Sequence, residues 1–140
     1  MPDRNLTIPP FETIFEVTPA DIDERGHVNN VVYVRWVNDL AIMHWRSGAT
    51  PEQQADLAWV LMRHEIDYHD AALPGDRIRA RTWVGHAEGL KFERFVELAR
   101  VGDGKVLAHS KTIWCPVDGR TGRPKRVPAS VRERFSEGLP

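Results

Sequence analysis

The segment that most restricts the fold of this chain is residues 31–47. Tyr33, Trp36, Val37, Leu40, Ala41 and His44 recur at three- and four-residue spacing, which marks one face of a helix. The other faces are largely apolar too. Val31, Val32, Val34, Ile42, Met43 and Trp45 lie among them, and only Arg35, Asp39 and Arg46 carry charge. A helix that is apolar on most sides has to be covered on most sides. Asn29 or Asn30 is suited to cap its start, and Gly48 to stop it.

The remaining segments read as cover for that helix. Residues 11–17 alternate, with Phe11, Thr13, Phe15 and Val17 on one side and Glu12, Ile14 and Glu16 on the other. Residues 59–68 alternate loosely. Residues 77–84 alternate cleanly, Ile78, Ala80, Thr82 and Val84 against Arg77, Arg79, Arg81 and Trp83. Lys91–Arg100 and Lys105–Cys115 flank the hairpin turn Gly102-Asp103-Gly104. Gly85–Gly89 reads as a connection, Pro116–Pro128 as a turn-rich tail, 51–56 as a short polar helix or loop, and 129–135 as a final short helix. The order is strand, buried helix, then four strands. It predicts an α+β domain, a five-stranded antiparallel sheet wrapped around a long central helix. Residues 1–10, with three prolines, form an extended arm, and 11–140 a single domain. A lone sheet leaves edges that a second copy would pair, so a homodimer or homotetramer is expected.

Composition excludes several function classes. The 140 residues are 41% hydrophobic and 28% charged, an ordinary folded composition. A formal net charge of -1 gives no global attraction to nucleic acid. Cys115 is the single cysteine, which excludes an intrachain disulfide and a cysteine-based metal cluster. His64, Asp67, His69 and Asp70 lack metal-binding spacing, so neither a metal nor a cofactor is expected. No apolar run reaches membrane-span length, and no signal-peptide pattern opens the chain, which makes the cytoplasm the expected compartment.

Between Val17 and Val31 the character changes. Asp21, Asp23, Glu24, Arg25, His27, Asn29 and Asn30 crowd the turn into the helix. A helix start offers unpaired N–H groups and a positive dipole end, which stabilise an oxyanion. A nearby carboxylate can attack an acyl carbonyl or deprotonate water. A histidine can move a proton near neutral pH. Gly26 permits a sharp turn or close approach of a ligand. The alternative is a polar surface loop with an Asx cap.

The run Asp21-x-Asp23-x-x-Gly26-His27-Val28-Asn29-Asn30-x-x-Tyr33-x-x-Trp36 resembles the signature of the hotdog-fold thioesterases. It is similar both to the 4-hydroxybenzoyl-CoA thioesterase group and to the acyl-ACP thioesterases. The resemblance extends over roughly residues 11–135, through Glu65-Ile-Asp-Tyr68, Ala71–Asp76, Gly104–Ala108 and Arg123–Pro128. It implies a hotdog fold and a thioesterase that hydrolyses acyl or aryl thioesters of coenzyme A, or of acyl carrier protein, to the free acid. It also implies that Asp23 is the catalytic carboxylate, as nucleophile or general base, and that the Asn30 N–H polarises the thioester carbonyl. In the acyl-ACP branch an Asp-x-Asn-x-His arrangement works with a later glutamate. Asp23, His27 and Glu65 match three of those positions. The asparagine position is Arg25 here, which cannot accept a hydrogen bond and is expected to bind a ligand phosphate or pair with an acid. Gly26, Asn29, Tyr33 and Trp36 complete the expected substrate contacts. Two other outcomes stay open: an enoyl-CoA hydratase or dehydratase, and an acyl-thioester-binding module without turnover.

Overall fold

The computed structural model describes residues 6–136. Residues 1–5 of the expected arm lie outside them, and 6–10 form neither helix nor strand. The elements are β1 (Phe11–Glu16), α1 (Asn30–Gly48), α2 (Pro51–Asp56), β2 (Leu57–Tyr68), β3 (Arg77–Glu88), β4 (Lys91–Arg100), β5 (Val106–Asp118) and α3 (Ala129–Phe135). A single 3-10 turn, Pro19–Asp21, follows β1. The strands form one five-stranded sheet in the order β1-β3-β4-β5-β2, antiparallel throughout. This is the expected α+β hotdog architecture. β1 and β2, neighbours in sequence apart from the helices, end at opposite edges.

Helix α1 lies on the inner face of that sheet. Val32, Tyr33, Trp36, Val37 and Leu40 pack against Ile78, Ala80, Val96, Leu98, Leu107 and Ala108. On β3 and β4 these residues come from alternate positions, as the pleat requires, while the adjacent Leu107 and Ala108 of β5 lie where its pairing with β4 shifts register. A second apolar cluster sits under the far end of α1, where Val84, Ala87, Phe92, Val127, Val131 and Phe135 meet Trp45, Trp59 and Trp114. The cover is not complete. Val31, Val34, Ile42 and Met43 on α1, with Val60, Leu61 and Met62 on the edge strand β2, remain exposed, Val31 to 71%.

Three boundaries differ from the sequence reading. Gly48 is helical, and the helix ends at Ala49 in extended conformation. The glycine serves packing instead, because a Cβ there would lie 2.7 Å from the Phe135 ring. Residues 85–88 are not a connection. β3 continues through them with a register shift between Val84 and Ala87, and the Phe95 ring occupies the space a Gly85 side chain would need. β5 also runs on through Pro116 to Asp118. Its pairing with β4 ends at Trp114, so Pro116 sits where no N–H is required on that side.

Among the described residues, no helix is long and apolar enough to cross a membrane, and no cluster of three or more His, Cys, Asp or Glu could hold a metal ion.

Candidate active site

The connection from β1 to α1 folds back on itself before the helix begins. Ile22 and Val28 form an antiparallel bridge. Within it the Asp23 N–H donates to the His27 carbonyl at 2.8 Å, and the Gly26 N–H to the Asp23 carbonyl at 3.0 Å. Gly26 has φ of 80°, a left-handed conformation that glycine adopts at no steric cost. The Val28 N–H donates to the Ala72 carbonyl and the Asn29 N–H to the Asp21 carbonyl, each at 2.9 Å. These main-chain bonds tie the loop to the domain.

That geometry fixes Asp23. Its Oδ1 accepts from the Arg25 N–H at 2.9 Å and from the His27 N–H at 3.2 Å. Its other oxygen has no partner among the described residues. Asn29 is the N-cap of α1, and its Oδ1 accepts from the Val31 N–H at 3.1 Å. Asn30 opens the 19-residue helix. The Tyr68 hydroxyl donates to its carbonyl at 3.3 Å, and its own N–H has no partner among the described residues. A carboxylate with one free oxygen and a helix start with an open N–H therefore belong to one short, rigid segment. Such a pair can deliver a nucleophile or base and receive negative charge. The His27 imidazole is half-buried, Arg25 is exposed, and neither side chain has a polar partner among the described residues.

Asp21 is the buried acid of the loop, 3% exposed. Burial pushes its carboxyl up, but the Thr18 N–H and the Arg35 guanidinium, each at 2.9 Å, outweigh burial and hold it below the ordinary 3.8. A group with a depressed folded pKa contributes stability above its ordinary value and loses it as pH falls through the lowered one. Asp21→Asn is accordingly expected to cost about 1–3 kcal/mol at neutral pH. The gap from wild type should close in urea unfolding performed well below pH 3.8. A gap that stays constant with pH would show that the charge of Asp21 contributes nothing.

The other predicted site residues lie elsewhere. Tyr33 and Trp36 are each 2% exposed and belong to the core. The Tyr33 hydroxyl accepts from the Ala72 N–H at 2.7 Å, and its ring meets Trp36 and Tyr68 edge-on. Both residues seat the helix start against the sheet. Their helical spacing from the loop fits either role, and only the sheet's position tells them apart. Glu65 is exposed on the outer face of the sheet, 3.3 Å from Arg63, whereas Asp23 and Asn30 belong to the segment that leads into the inner-face helix.

His64, set aside in the sequence as a weak metal candidate, lies on the inner face. Its Nε2 is 3.1 Å from the Ser110 hydroxyl, and burial lowers its pKa, which favours the neutral ring. It lines a depression of about 320 Å³ with Val31, Val34, Arg35, Leu61 and Thr112, directly beside the helix start. The period of β2 could have revealed this, since His64 and Ile66 share a face opposite Arg63 and Glu65.

The fold agrees with comparisons to known proteins. A chloroplastic acyl-[acyl-carrier-protein] hydrolase, FATB3 of Cuphea viscosissima, is 26% identical over 117 residues, covering 83% of this chain. The chain spans only 28% of that relative's length. A solved 1,4-dihydroxy-2-naphthoyl-CoA thioesterase from Synechocystis superposes with a TM-score of 0.74 at 20% identity, covering 85% of this chain and 90% of the other. SAV2348 from Staphylococcus aureus, solved in complex with CoA, gives a TM-score of 0.79 at 16% identity over 93% of this chain and 84% of its own. The family model described as the thioesterase-like superfamily matches residues 17–135, from just after β1 through the Asp23 loop to α3, and the chain belongs to that superfamily.

Proposed function

We propose that the protein hydrolyses an acyl thioester carried on coenzyme A or acyl carrier protein. The observation that carries this reading is the pairing of the main-chain-clamped Asp23 carboxylate with the open Asn30 N–H. The free oxygen of Asp23 attacks the thioester carbonyl or takes a proton from the attacking water. The carbonyl oxygen becomes negative and is received by the Asn30 N–H at the positive end of α1. Collapse expels the thiolate, to which His27 delivers a proton. If Asp23 attacks directly, water cleaves the resulting anhydride. Either way one water is consumed, and one acid and one thiol are released.

The supporting residues divide by position. Asn29 keeps the helix start in register through its cap, and Gly26 keeps the loop low enough for the thioester to approach. Arg25, with its guanidinium in solvent, binds a phosphate of the carrier in this reading. Tyr33, Trp36 and Glu65 fall outside this set. Both carriers occur among similar proteins, coenzyme A with SAV2348 and acyl carrier protein with FATB3.

A second copy completes the assembly in this reading. The exposed apolar residues of α1 and of the β2 edge form the surface that a partner would cover. The deciding experiment is a panel of acyl-CoA and acyl-carrier-protein thioesters of varied chain, assayed with a thiol reagent. The expected result is equimolar thiol and free acid for at least one class. Binding without thiol release across the panel would sink the hydrolase reading.

A further inference from the structure

A cavity of about 480 Å³ lies beneath the far half of α1, walled by Trp45, Trp59, Phe92 and Trp114. Its lining holds two cations, Arg46 at the rim and Arg94 inside, and no carboxylate. Arg94 projects from β4 on the inner face and is 3% exposed. Its Nη1 donates to His44 Nδ1 at 2.8 Å and to the Thr82 hydroxyl at 2.9 Å, both neutral partners. Its Nε donates to nothing, and no acid pairs with it among the described residues. Trp59, in the same wall, has a buried indole N–H that is also without an acceptor. A buried guanidinium normally has an anion beside it, because an uncompensated buried charge is costly. Burial alone pushes Arg94 down to about 9, which still leaves it charged at neutral pH; burial, together with the Arg94 charge, pushes His44 down to about 3, which leaves that ring neutral.

The cavity is not isolated from the catalytic loop. It shares Asn38 and Trp114 with the depression beside the helix start, so the two lie next to each other along α1. From Asn30 to Ala41, which lines the cavity, the helix rises about 16 Å at 1.5 Å per residue. A ligand whose carbonyl sits at Asn30 thus reaches Arg94 only with its far end.

We propose that this cavity receives a carboxylate at the distal end of the acyl group, so that the preferred substrates are thioesters of long dicarboxylic acids. The inference rests on the thioesterase reading and adds the chemistry of the acyl tail to it. The carboxylate supplies the anion that Arg94 lacks and accepts from the Trp59 N–H, while the aromatic walls hold the methylene chain.

The test compares the mono-CoA thioester of dodecanedioic acid with dodecanoyl-CoA. Wild type is expected to favour the carboxylated substrate about tenfold or more in kcat/KM, mostly through KM. Arg94→Met should erase that preference while still hydrolysing dodecanoyl-CoA. Trp59→Phe keeps an aromatic ring in the wall but removes the N–H, and it should lower the preference in part; a thermal melt shows that the variant is folded. Equal kcat/KM for both substrates in wild type, or a preference that persists in Arg94→Met, overturns the inference and leaves the hydrolase reading intact. If no thioester is cleaved at all, calorimetry with free dodecanedioate decides. Binding that Trp59→Phe weakens and Arg94→Met removes supports the cavity's role, and no binding to wild type overturns it.

Discussion

Asp23→Asn is expected to lower kcat for thioester hydrolysis by about 10²–10⁴-fold, while the fold and the substrate affinity stay close to wild type. The structural reason is specific to this loop. Asp23 uses Oδ1 to accept the Arg25 and His27 N–H groups, and an asparagine carbonyl oxygen can accept the same two bonds. What disappears is the negative charge on the free oxygen, which either attacks or takes the proton. Asp23→Ala should behave differently, since it also releases both N–H groups and loosens the loop that precedes α1. Steady-state kinetics on the best thioester, paired with thermal melting of each variant, separate the two effects. Unchanged turnover in Asp23→Asn would remove this carboxylate from the mechanism.

The second large effect concerns assembly. Leu61→Glu on the β2 edge, or Val34→Glu on the uncovered face of α1, is expected to convert a dimer into monomers. A carboxylate buried in an apolar interface costs on the order of 3 kcal/mol or more, which is roughly a 100-fold weaker association. Both residues are exposed in the single chain and both line the depression beside the helix start, so neither substitution disturbs the core. Hydrolysis should fall together with the dimer, because the open side of that depression loses its cover. Light scattering at several protein concentrations, with activity measured on the same samples, provides the check. A wild-type chain that is monomeric and fully active would show that the site needs no second copy.

The fold was legible in the chain because its strongest periodic signals were also its real ones. The stripe from Tyr33 to His44 is the face of α1 that packs on the sheet, and the alternation at Ile78, Ala80, Thr82 and Val84 is the inner face of β3. Boundaries failed where glycine and proline carried packing rather than turn chemistry. Gly48 makes room for Phe135, Gly85 for Phe95, and Pro116 sits where β5 no longer pairs with β4. The loop residues were legible as a group because charge, amides and a glycine crowd before an apolar helix. Which side chains face a ligand was not, since that depends on the sheet. Tyr33 and Trp36 are walled in by strands whose position a helical period does not contain. Arg94 was hidden for a related reason. Within Lys91–Arg100 it reads as an ordinary charge on a strand, and only the inner face of the assembled sheet shows it to be buried.

The clamp on Asp23 has a consequence for how such a protein can change. Among the described residues, every bond that holds the carboxylate comes from backbone N–H groups, at residues 25 and 27, and none from a side chain. The side chains at Glu24 and Arg25 are therefore free to vary without moving the reactive group, provided Gly26 keeps its left-handed turn. Under the proposed function, chemistry and carrier preference are separable in this loop. A library randomised at positions 24 and 25 could redirect the enzyme to a new carrier at little cost to turnover.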